Sequence, residues 1–225
     1  MINGIIAILL VGLFGFFLGK FIKHKSLYPF MHFKYDFRKR RDTFKQCLEL
    51  LDYTNAKTII ETGTSREGLR GAKSNGAATI VFGKWAKMNG AKLYSVDISE
   101  ESVNNSQAEV DRQQLQHVVS VYQSDSVAFL VDFDQQVDFL YLDSYDYSDD
   151  VEVQKKSQEH HLAEFKAIED QLHENSLVLI DDCDLPNGGK GKLAIAYMLQ
   201  NGWRIVTEAY QVLLVRDDFV IDKAQ

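Results

Sequence analysis

Five apolar segments of this 225-residue chain each end on, or just before, an acidic side chain. They occupy residues 58–61, 93–97, 118–125, 137–143 and 177–182, and their acids include Glu61, Asp97, Asp125, Asp143 and Asp182. Helical periodicity between and after them, as at residues 100–113 and 192–200, favours parallel strands with helices on both faces. Parallel strands end at one edge of a sheet, where open α/β sheets bind ligands. This edge is therefore expected to be anionic, which suits hydroxyl groups, divalent cations and positively charged cofactors.

Two closing strands, at residues 203–208 and 211–215, are so close in sequence that they must pair as an antiparallel hairpin. The pattern therefore predicts an α/β fold: a Rossmann-like, doubly wound, mostly parallel seven-stranded sheet with a C-terminal antiparallel hairpin. Apolar positions also predict a helix over residues 159–173, which would place His160 and His161 at its start.

The first nineteen residues carry no charged side chain. A helix of about this length spans a bilayer. No basic region precedes this run and no cleavage site follows it, so a membrane anchor is favoured over a signal peptide or a buried helix. Positive charge directly after such a segment favours the cytoplasmic side. We therefore expect a transmembrane helix at 1–22, a basic juxtamembrane linker at 23–41 and a folded domain at 42–225 that faces the cytoplasm.

The distribution of charge argues against nucleic acid as a partner. The whole chain carries −7 and residues 1–41 carry eight Lys or Arg and one acid, or +7, which leaves −14 for the remainder. Such a body repels a phosphate backbone.

A single GxxxG pair, Gly15 and Gly19, is compatible with a homodimer but is weak evidence for one.

The glycine-bearing segment after the first strand, residues 61–68, reads ETGTSREG. Ser65 stands where a dinucleotide-binding loop needs a glycine so that the backbone can approach a pyrophosphate. Asp97 can accept hydrogen bonds from both hydroxyls of a ribose, in an NAD site or an S-adenosylmethionine site, or it can cap a loop. Asp125 and Ser126 either reach an adenine edge or cap the following helix.

Short motifs follow the five strands in order: ETGTS, VD, SDS, LDSYDY and LIDD. Their order over residues 57–215 resembles the class I S-adenosylmethionine-dependent methyltransferases, and most of all the metal-dependent O-methyltransferases of family 24 and of the macrolide-sugar type. The loop at residues 66–76 is longer than usual for that family, and a membrane span is not typical of it. The resemblance implies a methyltransferase domain at 42–225, S-adenosylmethionine and Mg²⁺ as cofactors, and a small-molecule, sugar or lipid-linked hydroxyl acceptor.

The resemblance also implies residues that bind the cofactor. They are Glu61, Gly63, Thr64 and Ser65 beside the methionine half, Asp97 at the ribose, and Asp125 and Ser126 near the adenine.

Metal binding and catalysis are expected at the last two parallel strands. The resemblance implies that Asp143, Asp181 and Asp182 ligate the metal, and carboxylates from adjacent strand ends suit Mg²⁺, which would lower the pKa of a bound hydroxyl. The same acids are alternatively a solvated turn without metal. Asp143 is also expected to be part of the catalytic site together with His160 and His161, either of which could accept the hydroxyl proton. Surface histidines are the alternative for these two.

The sequence as a whole predicts an anchored O-methyltransferase that acts near a membrane. One alternative is an NAD-dependent Rossmann oxidoreductase, which Ser65 and the closing hairpin disfavour. The other is a catalytically silent, membrane-anchored binding module, which the intact acids Glu61, Asp97, Asp143 and Asp182 disfavour.

Overall fold

The computed structural model describes residues 2–24 and 36–220, and its core is a seven-stranded sheet. The strands are β1 (Thr58–Thr62), β2 (Lys92–Asp97), β3 (Val119–Gln123), β4 (Val137–Leu142), β5 (Leu172–Ile180), β6 (Trp203–Glu208) and β7 (Val212–Arg216). Their order across the sheet is β3-β2-β1-β4-β5-β7-β6. Strands β1 to β5 are parallel and β7 is antiparallel to both neighbours. The predicted mostly parallel sheet with a C-terminal antiparallel hairpin is confirmed.

Helices cover both faces of this sheet. They are α2 (Arg41–Thr54), α3 (Ala72–Asn75), α4 (Ala78–Asn89), α5 (Glu100–Arg112), α6 (Ser126–Val131), α7 (Val151–Ile168) and α8 (Lys192–Gln200). The first helix, α1 (Ile2–His24), is exposed along residues 4–19. Short 3₁₀ turns lie at Arg38–Arg40, Gly68–Gly71, Glu169–Gln171 and Pro186–Gly188. On one face, Phe82 of α4 packs edge-on against Phe44 of α2 and Phe139 of β4. On the other, Phe165 of α7 packs against Trp203, so both faces are buried and the strand ends remain for a binding site.

Helix α7 differs from its prediction at both ends. It begins at Val151, because the carboxylate of Asp150 accepts a hydrogen bond from the amide of Glu152 at 2.8 Å and caps the first turn. It ends at Ile168, so His160 and His161 lie in its middle rather than at its start. Its early buried positions are polar, namely Gln154, Ser157 and Gln158. A polar buried face produces no apolar periodicity, which is why the sequence pattern started the helix too late.

The predicted transmembrane helix at 1–22 is wrong, and so is the single-pass, cytoplasm-facing membrane location. Within the part of the chain that the structure describes, no helix is both long and apolar enough to cross a membrane. Between Asn3 and Lys20 there are 16 residues; as a helix they span about 24 Å, against a hydrocarbon core of about 30 Å. Residues 25–35, most of the predicted linker, lie outside the described residues.

Candidate functional site

A cavity of about 510 Å³ lies at the carboxyl ends of β1 to β4. Its lining consists of Gly63, Arg66, Val96, Asp97, Ile98, Ser99, Ser102, Asp125, Ser126, Asp143, Ser144, Tyr145, Asp146 and His160. The strand order reverses between β1 and β4, which is where open α/β sheets bind ligands. Six residues predicted from the sequence therefore share one cavity: Gly63, Asp97, Asp125, Ser126, Asp143 and His160.

Gly63 lets the loop after β1 lie directly against the loop after β4. Its φ is +83°, and a Cβ built on it would lie 2.3 Å from the carbonyl oxygen of Asp143. The amide of Asp143 donates to the carbonyl of Thr62 at 2.9 Å, and the amide of Gly63 donates to the carbonyl of Val96 at 2.8 Å. The backbone at the junction of β1, β2 and β4 is thus packed too closely for any side chain at position 63.

Asp97 both supports a loop and faces the cavity. Its Oδ2 accepts from the amide of Thr64 at 3.2 Å, and its Oδ1 accepts from the amide of Ser99 at 2.8 Å. A carboxylate has about four acceptor positions, so these two bonds leave capacity for further donors. The loop-capping role weighed from the sequence and the ribose-binding role are therefore compatible in this side chain.

Three residues predicted to border the cofactor, Glu61, Thr64 and Ser65, are buried instead of lining the cavity. The hydroxyls of Thr79 and Ser95 each donate to Glu61 Oε2 at 2.6 Å, and Ser65 and Thr79 bond reciprocally through side chain and backbone. Burial raises the pKa of Glu61 to about 7, although both hydroxyl donors oppose the rise. These bonds brace the loop, and direct contact with a cofactor stays a prediction for these three residues.

His160 lies at the β3 side of the cavity, paired with a buried carboxylate. Its Nε2 is 3.0 Å from the hydroxyl of Ser126 and 3.3 Å from Glu164 Oε1, and the same Glu164 oxygen accepts from the hydroxyl of Ser144 at 2.7 Å. Burial alone would lower the pKa of His160, but Glu164 outweighs it and the pKa is raised. A raised pKa favours the protonated ring, which donates hydrogen bonds and is a poor general base.

His161 and Asp125 have different surroundings. His161 is fully buried, and its Nδ1 lies 2.7 Å from the carbonyl oxygen of Ser157. Burial lowers the pKa of His161 to about 4, and the structure does not bring this ring to the cavity. Asp125 lines the cavity and also caps α6, because its Oδ1 accepts from the amide of Ala128 at 2.9 Å.

Replacing Glu164 with glutamine should lower the pKa of His160, because the ring would lose its carboxylate partner. Side-chain NMR titration of His160 measures this change directly. The pair stabilises the folded state when Glu164 is ionised and His160 is protonated. This stabilisation is fully present above the ordinary pKa of a glutamate, 4.5, and it is lost as the pH rises through the raised pKa of His160. The free energy of unfolding of the wild type should therefore exceed that of Glu164→Gln most around pH 5 to 6, and the gap should narrow at higher pH.

The matched control is Glu159→Gln, on the same helix but exposed, where the carboxylate pairs only loosely with Lys155 at 3.8 Å. It should leave the titration of His160 unchanged. Equal His160 pKa values in the two variants would show that Glu164 does not set the charge of this ring.

Asp143, Asp181 and Asp182 come together as expected, but each is already paired with a cation. Lys190 Nζ lies 2.8 Å from Asp143 Oδ1 and 3.1 Å from Asp182 Oδ2. Arg40 lies 2.6 Å from Asp181 and 3.1 Å from Asp182. Burial alone would lower the pKa of Lys190, but the carboxylates around it raise it, so the side chain is an ammonium ion.

This arrangement does not fit a magnesium ion. Carboxylate oxygens are the donors that Mg²⁺ prefers, yet here the oxygens of Asp143, Asp181 and Asp182 face Lys190 and Arg40. Among the described residues, no group of three or more His, Cys, Asp or Glu is placed to hold a metal. The predicted dependence on magnesium is not confirmed.

Sequence reasoning missed several partners in this region. Arg40 fell in the predicted linker, although its side chain is buried in the domain. Glu164 had a usable signal, since it follows His160 by four residues and faces the same side of a helix. Arg66 and Asp146, which both line the cavity, form an ion pair between the loops after β1 and β4; their separation in sequence gave no such signal.

Comparisons with known proteins agree with the fold. A family model described as "Methyltransferase domain" matches residues 73–183, and no curated protein sequence matches the chain. The SAH-bound methyltransferase PaMTH1 of Podospora anserina has a TM-score of 0.58 at 12% identity, covering 89% of this chain and 87% of its own. An O-methyltransferase from Bacillus cereus in complex with SAH has a TM-score of 0.54 at 14% identity, covering 78% and 81%. The O-methyltransferase TomG from Streptomyces achromogenes, in complex with SAM, has a TM-score of 0.55 at 13% identity, covering 80% and 82%.

Proposed function

We propose that this chain is a class I S-adenosylmethionine-dependent methyltransferase that transfers a methyl group from S-adenosylmethionine to a hydroxyl group of a small molecule. The methyltransferase family model that matches residues 73–183 and the fold shared with the structural neighbours support this proposal. The observation that carries the proposal is the cavity, where Gly63, Asp97 and Ser126 meet at the strand reversal. The neighbours that are themselves O-methyltransferases support a hydroxyl acceptor.

The cavity offers each part of the cofactor a matching surface. The free acceptor capacity of Asp97 suits the two ribose hydroxyls. On the β3 side, Ser126 and His160 supply polar groups at the place expected for the adenine. The methionine half is assigned to the part of the cavity that Gly63 and the carboxylate of Asp143 line.

The proposed reaction is an in-line displacement. The acceptor oxygen forms a bond to the methyl carbon while the carbon–sulfur bond breaks, and S-adenosylhomocysteine leaves with the bonding electrons. Holding the oxygen and the methyl group in line supplies much of the acceleration. Of the carboxylates lining the cavity, Asp143 lies beside Gly63 and is the one we assign to accept the hydroxyl proton. His161, which is buried away from the cavity, has no part in this proposal.

The alternatives have less support. An NAD site needs a glycine at the position of Ser65. The closing antiparallel hairpin, which also disfavours an NAD-dependent oxidoreductase, is present as β6 and β7. A silent binding module would not need a cavity lined by Asp97 and Asp143. The lipid-linked acceptor rested on the membrane anchor and forms no part of the proposal.

Calorimetric titration with S-adenosylmethionine, S-adenosylhomocysteine and NAD tests the cofactor. We expect the first two to bind and NAD not to bind. Incubation of the protein with methyl-labelled cofactor and small-molecule cell extract should then yield a labelled ether. Preferential binding of NAD, or binding of none of the three, would contradict the proposal.

A further inference from the structure

The cations at the ends of β4 and β5 form a closed network with the three carboxylates. Asp181 Oδ2 accepts from Arg40 at 2.6 Å and from the hydroxyl of Tyr141 at 2.7 Å, and Asp181 Oδ1 accepts from the amide of Asp182 at 2.8 Å. Asp182 Oδ1 accepts from Arg40 and from the hydroxyl of Tyr210. Every oxygen of Asp181 and Asp182 therefore has a donor once the ion pair with Lys190 is included.

The loop after β5 is shaped to deliver Lys190 to this network. The amide of Lys190 donates to the carbonyl of Asp182 at 3.1 Å. Gly189, at φ +59°, brings the chain so near that an added Cβ would lie 2.0 Å from that same carbonyl oxygen. Helix α7 holds the loop from outside, because Gln158 donates to the carbonyls of Asn187 at 3.2 Å and Gly189 at 3.1 Å. The loop is thus fixed, and the side chain of Lys190 is only 3% exposed.

The ammonium group of Lys190 occupies the position that a metal ion bound by both Asp143 and Asp182 would occupy. It lies 2.8 Å from Asp143 and 3.1 Å from Asp182, bridging the two strand ends. A magnesium ion bridging the same oxygens would need to approach to about 2.1 Å of each, which the ammonium already prevents. The three carboxylates and two cations leave the network with a formal charge of −1. A divalent ion added beside Lys190 would change this charge to +1 and would lie next to the ammonium group, which repels it.

We infer that Lys190 is a built-in replacement for a divalent cation: it fixes Asp143 to Asp182 and makes the site independent of metal. As a positioning residue it holds one oxygen of Asp143. The other oxygen lies 3.3 Å from the hydroxyl of Tyr141, whose single proton is donated to the nearer Asp181, and it remains available to the cavity. The role in positioning Asp143 for methyl transfer rests on the proposed function. The exclusion of a metal does not, because it follows from the ion pairs alone.

Manganese binding measured by electron paramagnetic resonance tests the inference without cofactor or acceptor, since Mn²⁺ prefers the same oxygen ligands as Mg²⁺. The wild type should bind Mn²⁺ with a dissociation constant above about 1 mM, as expected for no dedicated site. Lys190→Met keeps the length of the side chain and removes its charge. It should bind Mn²⁺ at least ten-fold more tightly than the wild type, and Mn²⁺ should raise its melting temperature.

Lys192→Ala, two residues along and exposed, is the matched control and should behave as the wild type. Turnover of the wild type should be unchanged in EDTA, and Mn²⁺ should restore turnover lost in Lys190→Met. Wild-type binding of Mn²⁺ tighter than about 1 mM, or a folded Lys190→Met that binds no better than the wild type, would overturn the inference. If Lys190→Met does not fold, the wild-type titration alone decides. Failure to bind S-adenosylmethionine would overturn the proposed function and leave the metal result intact.

Discussion

Asp97→Ala should bind S-adenosylmethionine at least about 100-fold more weakly than the wild type, because two charge-assisted hydrogen bonds to the ribose would be lost, each worth about 1.5 to 3 kcal/mol. The effect has a second source in the protein itself, since Asp97 also accepts from the amides of Thr64 and Ser99. Calorimetry with S-adenosylhomocysteine measures the loss without turnover.

The control for this change is Asp111→Ala on the exposed side of α5, where the carboxylate accepts only a surface hydrogen bond from Gln107. It removes the same charge away from the cavity and should leave the affinity unaltered. Asp97→Asn separates the two sources in part, because its amide oxygen can still accept from one of the two loop amides, whereas its NH2 group cannot accept and the negative charge is lost. Similar affinity of Asp97→Ala and Asp111→Ala would mean that Asp97 does not hold the ribose.

Gly63→Ala should abolish measurable cofactor binding and lower the free energy of unfolding by about 3 kcal/mol or more. A positive φ costs a residue with a side chain about 1 to 2 kcal/mol, and the Cβ would in addition lie 2.3 Å from the carbonyl oxygen of Asp143. Relief of that overlap must separate the loops after β1 and β4, which form the floor of the cavity. Chemical denaturation and calorimetry measure the two effects.

Comparison with Gly90→Ala separates the effect of the steric overlap in Gly63→Ala from the cost of a positive φ. Gly90 also has a positive φ, +62°, but an added Cβ would meet no atom within 4 Å. This variant should lose only about 1 to 2 kcal/mol of stability and should bind the cofactor normally. If the two glycine variants lost the same stability and bound the cofactor equally, the close approach of the loops would be unimportant for the site.

Much of the sheet and its helices could be predicted because apolar segments are bounded by residues that end them. The bounds predicted for α8 and β6 match the structure to the residue. Each of these elements has apolar residues at its own period and is flanked by acids, glycine or asparagine. Helix α7 resisted the same method because Gln154, Ser157 and Gln158 form the buried face of its first half.

The position of the cavity could be predicted from the strand order. The cations Arg40 and Lys190, which pair with the carboxylates beside the cavity, could not. Parallel strands bring Gly63, Asp97 and Asp143 together wherever the five strands pair in the expected way. Nothing in the run of basic residues at 38–41 distinguishes Arg40 from its neighbours, since its partners are supplied by the ends of other strands. Lys190 follows two glycines, which is typical of a mobile turn. The contact of Gly189 with Asp182 and the hydrogen bonds from Gln158 to the loop carbonyls, which the sequence does not reveal, fix this loop.

The distance in sequence between Arg40 and its partner has a consequence for how the protein is made. The pair spans 141 residues, so at a synthesis rate of about 5 to 20 residues per second Asp181 follows Arg40 out of the ribosome by roughly 7 to 30 s. The residues that line the cavity all lie between Gly63 and His160 and therefore emerge earlier. A nascent chain thus carries every residue that lines the cavity before β5 is made, whereas its buried arginine can meet its counter-charges only after Asp181 and Asp182 have been synthesised.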